Sequence, residues 1–299
     1  MDYQQTNFSD EETLALLHSK TVPGVSTPVV IVSLLVPWSL FVFSCGLLSF
    51  TMHYNTPQYA WMVIAVLFAI PVLFGFIATK ANNEGRSAAG WKYSAFASAL
   101  ALCLGSTMGD MNYWFNAQPY YDIQTMNAYW NVDPSKSRGQ QHMDAGRVYF
   151  KDNARIDPTK AMAFRNLDTY CVAPIVSDAA QTTQDWWAVG LNCCTSGSSF
   201  TCGDVRNPKA RAGLRAMRDE QRPFFRLAVH QAEAEYGVSA QHPLFFYWME
   251  DPAKEVLGYL EEANRLFTSS AVSFGILNAF LVALVVVGVS RLAPVKRRV

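Results

Sequence analysis

Four uncharged apolar stretches constrain this chain more than any other feature. They run over 21–52, 54–79, 93–109 and 267–290, and none contains Asp, Glu, Lys or Arg. An α-helix needs about 20 mostly apolar residues to cross the hydrocarbon core of a bilayer. The first, second and fourth stretches meet that length. The third is shorter and is bounded by Asp110, and it spans if Lys92 snorkels at its start. Only 16% of the chain is charged, against about 25% in an ordinary soluble protein, and the deficit sits in these stretches. Pro37 and Pro71 interrupt two of them, which membrane helices tolerate when neighbouring helices satisfy the freed backbone groups.

Lys and Arg in short connections set orientation. The connection around His53–Gln58 has none, the connection over 80–92 has Lys80, Arg86 and Lys92, and the C-terminal tail has Arg291, Lys296, Arg297 and Arg298. Both tails and the second connection are therefore expected in the cytosol. The expected organisation is a cytosolic tail over 1–26, three transmembrane helices within 27–109, and an extracytosolic domain over 110–266. A fourth transmembrane helix over 267–290 and a basic cytosolic tail over 291–299 complete it. No signal peptide is recognisable. Ser9 and Glu12 have capping-box spacing ahead of Leu14, Leu16 and Leu17, which suggests a short amphipathic helix on the membrane surface or, alternatively, disorder. Small residues recur every four positions at Ala97, Ala101 and Gly105, and again at Ala271, Gly275, Ala279 and Ala283. Such stripes let helix backbones approach, and they predict close pairing of the third and fourth helices.

The fold class read from this pattern is a membrane all-α four-helix bundle with a large α+β disulfide-bonded extracytosolic domain. Of six cysteines, Cys45 and Cys103 lie in apolar stretches, whereas Cys171, Cys193, Cys194 and Cys202 lie in the large domain. An even number in an oxidising compartment suggests two disulfides. Adjacent cysteines on a strand point to opposite faces, so one of Cys193 and Cys194 is expected to reach Cys202 and the other Cys171. Zinc ligation is the competing reading, although paired CxxC knuckles are missing.

Three β-rich runs, 144–150, 168–176 and 186–194, predict a small antiparallel sheet. Pairing of the last two as a hairpin brings Cys171 near Cys193. The rest of the domain reads as helical. Asn207 and Pro208 look like a cap and first turn of a helix to Tyr236, and Asp251 and Pro252 like the start of one continuous helix into the fourth apolar stretch. On the first of these helices Arg211, Arg215, Arg218, Arg222 and Arg226 would share a face. That face would either bind an anionic partner or be solvated beside Asp219, Glu220 and Glu233, which is the reading these acids favour. The aromatic runs 112–121 and 242–249 fit a membrane interface or the domain's own core equally well.

Four helices, a short first loop and a large cysteine-bearing loop before the last helix, with Cys193-Cys194-Thr195-Ser196-Gly197 in that loop, resemble the tetraspanin plan. Gly197 stands three positions after Cys194, and Cys171 precedes the pair. The sequence also resembles a group of protist membrane proteins, from which no function follows. The tetraspanin resemblance implies a membrane protein that organises partners through its large loop.

No Walker, dinucleotide-glycine, HExxH or GxSxG pattern occurs. His18, His53, His142, His230 and His242 show no ligand spacing, and His142 and Asp144 flank a single residue. Neither a catalytic residue, a metal nor a cofactor is expected, and zero net charge gives no reason to expect nucleic acid. The function expected is therefore a non-enzymatic membrane organiser or adhesion-type protein, in contact with lipid and other membrane proteins, including copies of itself. A transporter or channel component, or a membrane receptor for a small ligand, is the alternative.

Overall fold

The computed structural model describes residues 26–179, 183–195 and 199–292. The expected N-terminal amphipathic helix, Gly197 of the cysteine motif and basic residues 296–298 lie outside them. The chain divides into two compact units, one made of Met1–Tyr113 with Asn264–Val299, the other of Trp114–Ala263.

The first unit is helical: α1 (Thr27–Ser49), a short α2 (Thr51–Asn55), α3 (Pro57–Leu67), α4 (Ala69–Asn83), α5 (Ala89–Asn112) and most of α8 (Pro252–Leu292). Three helical stretches are long and apolar enough to cross a membrane: Thr27–Ser49, Pro57–Asn83 and Pro252–Arg291. Helix α5 falls outside that group because Ser94, Ser98, Gly105 and Ser106 dilute its apolar residues. Pro37 lies inside α1 without ending it.

The small-residue stripe of α5 packs on α1, which corrects the pairing expected from sequence. A Cβ on Gly105 would lie 2.2 Å from Ser44 Oγ and 2.8 Å from the Phe41 carbonyl, and one on Gly109 would lie 2.6 Å from the Cys45 carbonyl. Glycine is needed at both because the two backbones touch there. The stripe on α8 also meets α1, where a Cβ on Gly275 would lie 2.9 Å from Trp38 Nε1. Helix α1 is thus the element both stripes share.

The second unit is α+β. After a π-helical turn (Tyr113–Ala117) and α6 (Gln118–Thr125) come β1 (Asn127–Val132), β2 (Ala145–Phe150), β3 (Arg155–Ile156), β4 (Met162–Asn166), β5 (Asp168–Val176), β6 (Trp186–Leu191), β7 (Cys194–Thr195), β8 (Ser199–Phe200) and β9 (Ala212–Arg215). Helix α7 (Arg222–Tyr236), β10 (Leu244–Met249) and the start of α8 complete it. Eight strands form a mixed sheet in the order β1-β2-β9-β10-β6-β5-β3, with β4 also on β5. The three expected runs are strands, and β5 and β6 pair antiparallel. The sheet is nevertheless larger than expected and mixed rather than antiparallel, because β1, β3, β4, β9 and β10 fall in the remainder that reads as helical from sequence.

The helix expected from Asn207 to Tyr236 starts only at Arg222. Asn207 Oδ1 accepts from Lys209 N, so Asn-Pro makes an Asx turn here. Residues 212–215 then pair with β2 and β10. Gly213 is required in β9, where a Cβ would lie 2.8 Å from Phe246 Cβ. At Asp251 the expected cap holds: Oδ1 accepts from Ala253 N and Lys254 N, and α8 runs unbroken from Pro252.

Alternation along β10 shows the two sides of the sheet. Phe245 packs with Val172, Trp187 and the α7 residues Phe225, Ala228 and Val229. Leu244, Phe246 and Trp248 pack with Cys171, Ile175, Trp186, Phe200 and Cys202 on the other side. One face is therefore covered by helix and the other by loops. The run 242–249 belongs to this core, whereas Trp114 and Phe115 of the other aromatic run are exposed.

Candidate functional site

The loop-covered face carries the cysteines. Cys171 bonds to Cys194 and Cys193 to Cys202, so the adjacent pair is split between two partners. The register explains the meeting point: Cys171 lies opposite Gly190 across β5 and β6. A Cβ on Gly190 would lie 2.5 Å from Cys193 Sγ and 2.7 Å from Cys202 Sγ. A bare position in β6 thus leaves room for the second bridge. An isolated glycine inside a strand pattern is a legible sign of such close approach. The sulfurs of Cys171, Cys193 and Cys202 have the proximity of a metal cluster, within 4.8 Å of one another, but in disulfides they carry no thiolate to ligate a cation.

Beside this cluster the same face holds a cavity of about 360 Å³. Trp248, Ile156 and Val205 line it together with two ion pairs. Arg155 Nη1 donates to Asp178 Oδ1 at 2.5 Å, and Arg211 Nη1 to Asp152 Oδ1 at 3.1 Å. All four side chains are at least partly exposed, so they shape the rim and add little stability. Sequence reading missed this rim because its members come from strand β3 and three separate loops. Leu167 is a further surface feature it missed: wholly exposed, at the tip of the β4–β5 hairpin, with φ of 61°.

The five arginines do not share a helix face. Arg211 lies just before β9, Arg215 ends it, Arg218 is in the following loop, and only Arg222 and Arg226 are on α7. Arg222 pairs with Asp219 at 2.8 Å. Arg215 lies over the Phe246 ring at 5.6 Å, and its buried Nη1 has no hydrogen-bond partner among the described residues. Burial, and then the charge of Arg222, push its pKa down to about 10.

His142 and Asp144 do not form a dyad. His142 Nδ1 donates to the Arg138 carbonyl, while Asp144 accepts from Asn127 at 2.5 Å and Tyr129 at 2.9 Å. Those two hydrogen bonds, Asn127 foremost, hold the Asp144 carboxyl below its usual range. In the helical unit, buried His53 donates from Nδ1 to the Leu48 carbonyl at 2.8 Å and faces Asp110 at 3.9 Å.

Polar groups tie three helices of that unit together. Ser33 and Ser94 hydroxyls meet at 2.7 Å. Asn278 Nδ2 donates to the Leu34 carbonyl at 2.9 Å, and Tyr93 donates to Asn278 Oδ1 at 2.7 Å. Trp38 Nε1 donates to the Ala271 carbonyl at 3.0 Å.

No family model, no curated protein and no solved structure matches the chain.

Proposed function

We propose that the chain is an integral membrane protein with four crossing helices, α1, α3–α4, α5 and α8, that organises or adheres to partner proteins through its α+β domain on the extracytosolic side. The observation that carries this reading is the construction of the sheet's face that no α-helix covers. Loops there are pinned by two disulfides on a rigid aromatic core, which is how a fixed scaffold presents a binding surface. The disulfides also fit an oxidising compartment, and the Lys and Arg bias of the connections fits cytosolic termini. The backbone contacts of α1 and α5 at Gly105 and Gly109 argue against a water path between those helices, and so against the transport reading. The tetraspanin likeness stays at the level of this plan.

A photo-crosslinking residue placed at Lys209, exposed on the loop face, and in a second sample at Gln231, exposed on α7, tests the reading in the full chain in its native membrane. Adducts with a distinct partner polypeptide are expected from Lys209 and not from Gln231. Equal yields from both positions, or none from either, refute binding through the loop face. Protease protection of tags at both termini checks the topology separately, and a lumenal C-terminal tag would overturn it.

A further inference from the structure

The geometry points to a thiol–disulfide exchange site at the four-cysteine cluster, where the two bridges trade partners once an outside thiol opens one of them. Two disulfides in one domain need not be near each other. Here Cys171, Cys193 and Cys202, drawn from both bridges, hold their sulfurs within 4.8 Å. The bare Gly190 opposite Cys171 makes the approach possible. Cys171 and Cys202 are buried, whereas Cys193 and Cys194 are half-exposed, so an incoming thiol meets the adjacent pair first.

Exchange proceeds by attack of a thiolate on a disulfide sulfur. The attacking group is a small thiol or a cysteine of a partner protein. Its sulfur bonds to Cys193, the Cys193–Cys202 bond breaks, and the electron pair leaves on Cys202. Cys202 then attacks Cys171 close by: the Cys171–Cys202 bond forms, the Cys171–Cys194 bond breaks, and Cys194 leaves as thiolate to take the proton the outside thiol gave up. Two disulfides and one thiol enter, and two disulfides and one thiol leave, so no oxidant or reductant is consumed. The cluster thereby passes a covalent event at the half-exposed pair to the bond that anchors β5.

Disulfide mapping of the full-length Cys202→Ser variant tests this. Cys193 is then a thiol near Cys171. After acid quenching, alkylation and fragment sequencing, two isomers are expected: Cys171–Cys194 with the alkyl group on Cys193, and Cys171–Cys193 with it on Cys194. Only the first isomer, with Cys193 fully alkylated, would overturn the proposal. Because this variant also loses a staple, the same mapping is done on the unsubstituted protein after less than one equivalent of dithiothreitol. Cross-links Cys171–Cys193 or Cys171–Cys202 are expected in protein that keeps its near-ultraviolet circular dichroism. Native cross-links and free thiols alone would count against exchange.

Discussion

In the α+β domain Trp186, Trp187, Phe225 and Phe246 are fully buried, while Asp152, Arg155 and Asp178 stand outside. In the helical unit a small apolar core of Phe41, Leu48 and Leu102 sits beside buried polar groups, and many large apolar side chains face outward. Val66, Phe76 and Ile276 are exposed at 72%, 68% and 68%, and Ser33, Ser44, Ser94 and Asn278 are buried. Large apolar side chains exposed in that number fit the membrane reading proposed above. The difference teaches what holds each unit. Water drives the aromatic core of the domain together, and disulfides fix the loops over it. Lipid tails give apolar side chains no reason to leave them, so helices that associate there rely on close backbone packing and interhelical hydrogen bonds. Glycines and serines do in one unit what tryptophans and phenylalanines do in the other.

The largest expected effect comes from filling the α1–α5 seam. Gly105→Leu with Gly109→Leu places side chains where Ser44 Oγ and the Cys45 carbonyl already lie. Overpacking costs about 1–3 kcal/mol per site or more, and here backbone must move at two successive turns. The double variant should lose its monodisperse peak in detergent while keeping both disulfides. Gly75→Leu and Gly288→Leu, whose Cβ positions meet nothing within 4 Å among the described residues, should behave as the parent. Equal damage from both pairs would break the contrast between the units.

Next comes the staple of the domain. Cys171→Ser with Cys194→Ser removes one bridge and should cost the domain about 2–5 kcal/mol. Thermal melts should show an earlier domain transition by tryptophan fluorescence, with the bundle helicity unchanged. A simultaneous drop of both transitions would mean that the two units unfold as one.

Legibility in the sequence followed the same divide. Apolar runs long enough to span were readable because length and lack of charge are local properties. So was the split of Cys193 and Cys194 between two partners, which follows from strand alternation. The partner of a small-residue stripe is not readable, because a flat stripe accepts any helix; only the fold shows that Gly105 meets the α1 backbone at Phe41 and Gly275 the α1 side chain of Trp38. Strand β9 was hidden because Ala212–Arg215 is short and carries a glycine, and its identity comes from Phe246 packing over Gly213. The arginine stripe failed with it, since its spacing has meaning only on a helix. Asn278 is not legible either, because a lone uncharged amide in an apolar stretch names no partner until the helices are packed.

A smaller effect should follow at that asparagine. Asn278→Leu removes the bonds to Tyr93 and to the Leu34 carbonyl. Interhelical hydrogen bonds in membranes contribute about 0.6 kcal/mol on average and at most about 1.7. The bundle should therefore stay folded, with its detergent melting temperature lowered slightly and the domain transition unmoved. Tyr93→Phe should account for part of the same loss. Loss of the bundle on either change would show that polar contacts, rather than backbone packing, dominate that unit.

The smallest effect is expected at Asp144, whose hydrogen-bonded carboxylate is on the surface. Asn127 and Tyr129 lower its pKa in the folded state. An unfolded aspartate titrates near about 3.9. With the folded value lower, the contribution to stability is complete above the unfolded pKa and is lost as pH falls through the folded one. Asp144→Asn should therefore lower the domain's melting temperature slightly at neutral pH, where the contribution is complete, and converge with the parent as pH falls below about 4; the whole effect is small because the site is open to solvent. Thermal melts of the two proteins across that range measure it. A slope as steep in Asp144→Asn as in the parent would assign the acid sensitivity to other groups such as Asp133, which is also held low, first by its hydrogen bond from Ser135. The bundle should show no matching acid limb, because no Asp or Glu lies in its apolar stretches; an acid limb in the bundle as steep as the domain's would break the contrast between the units.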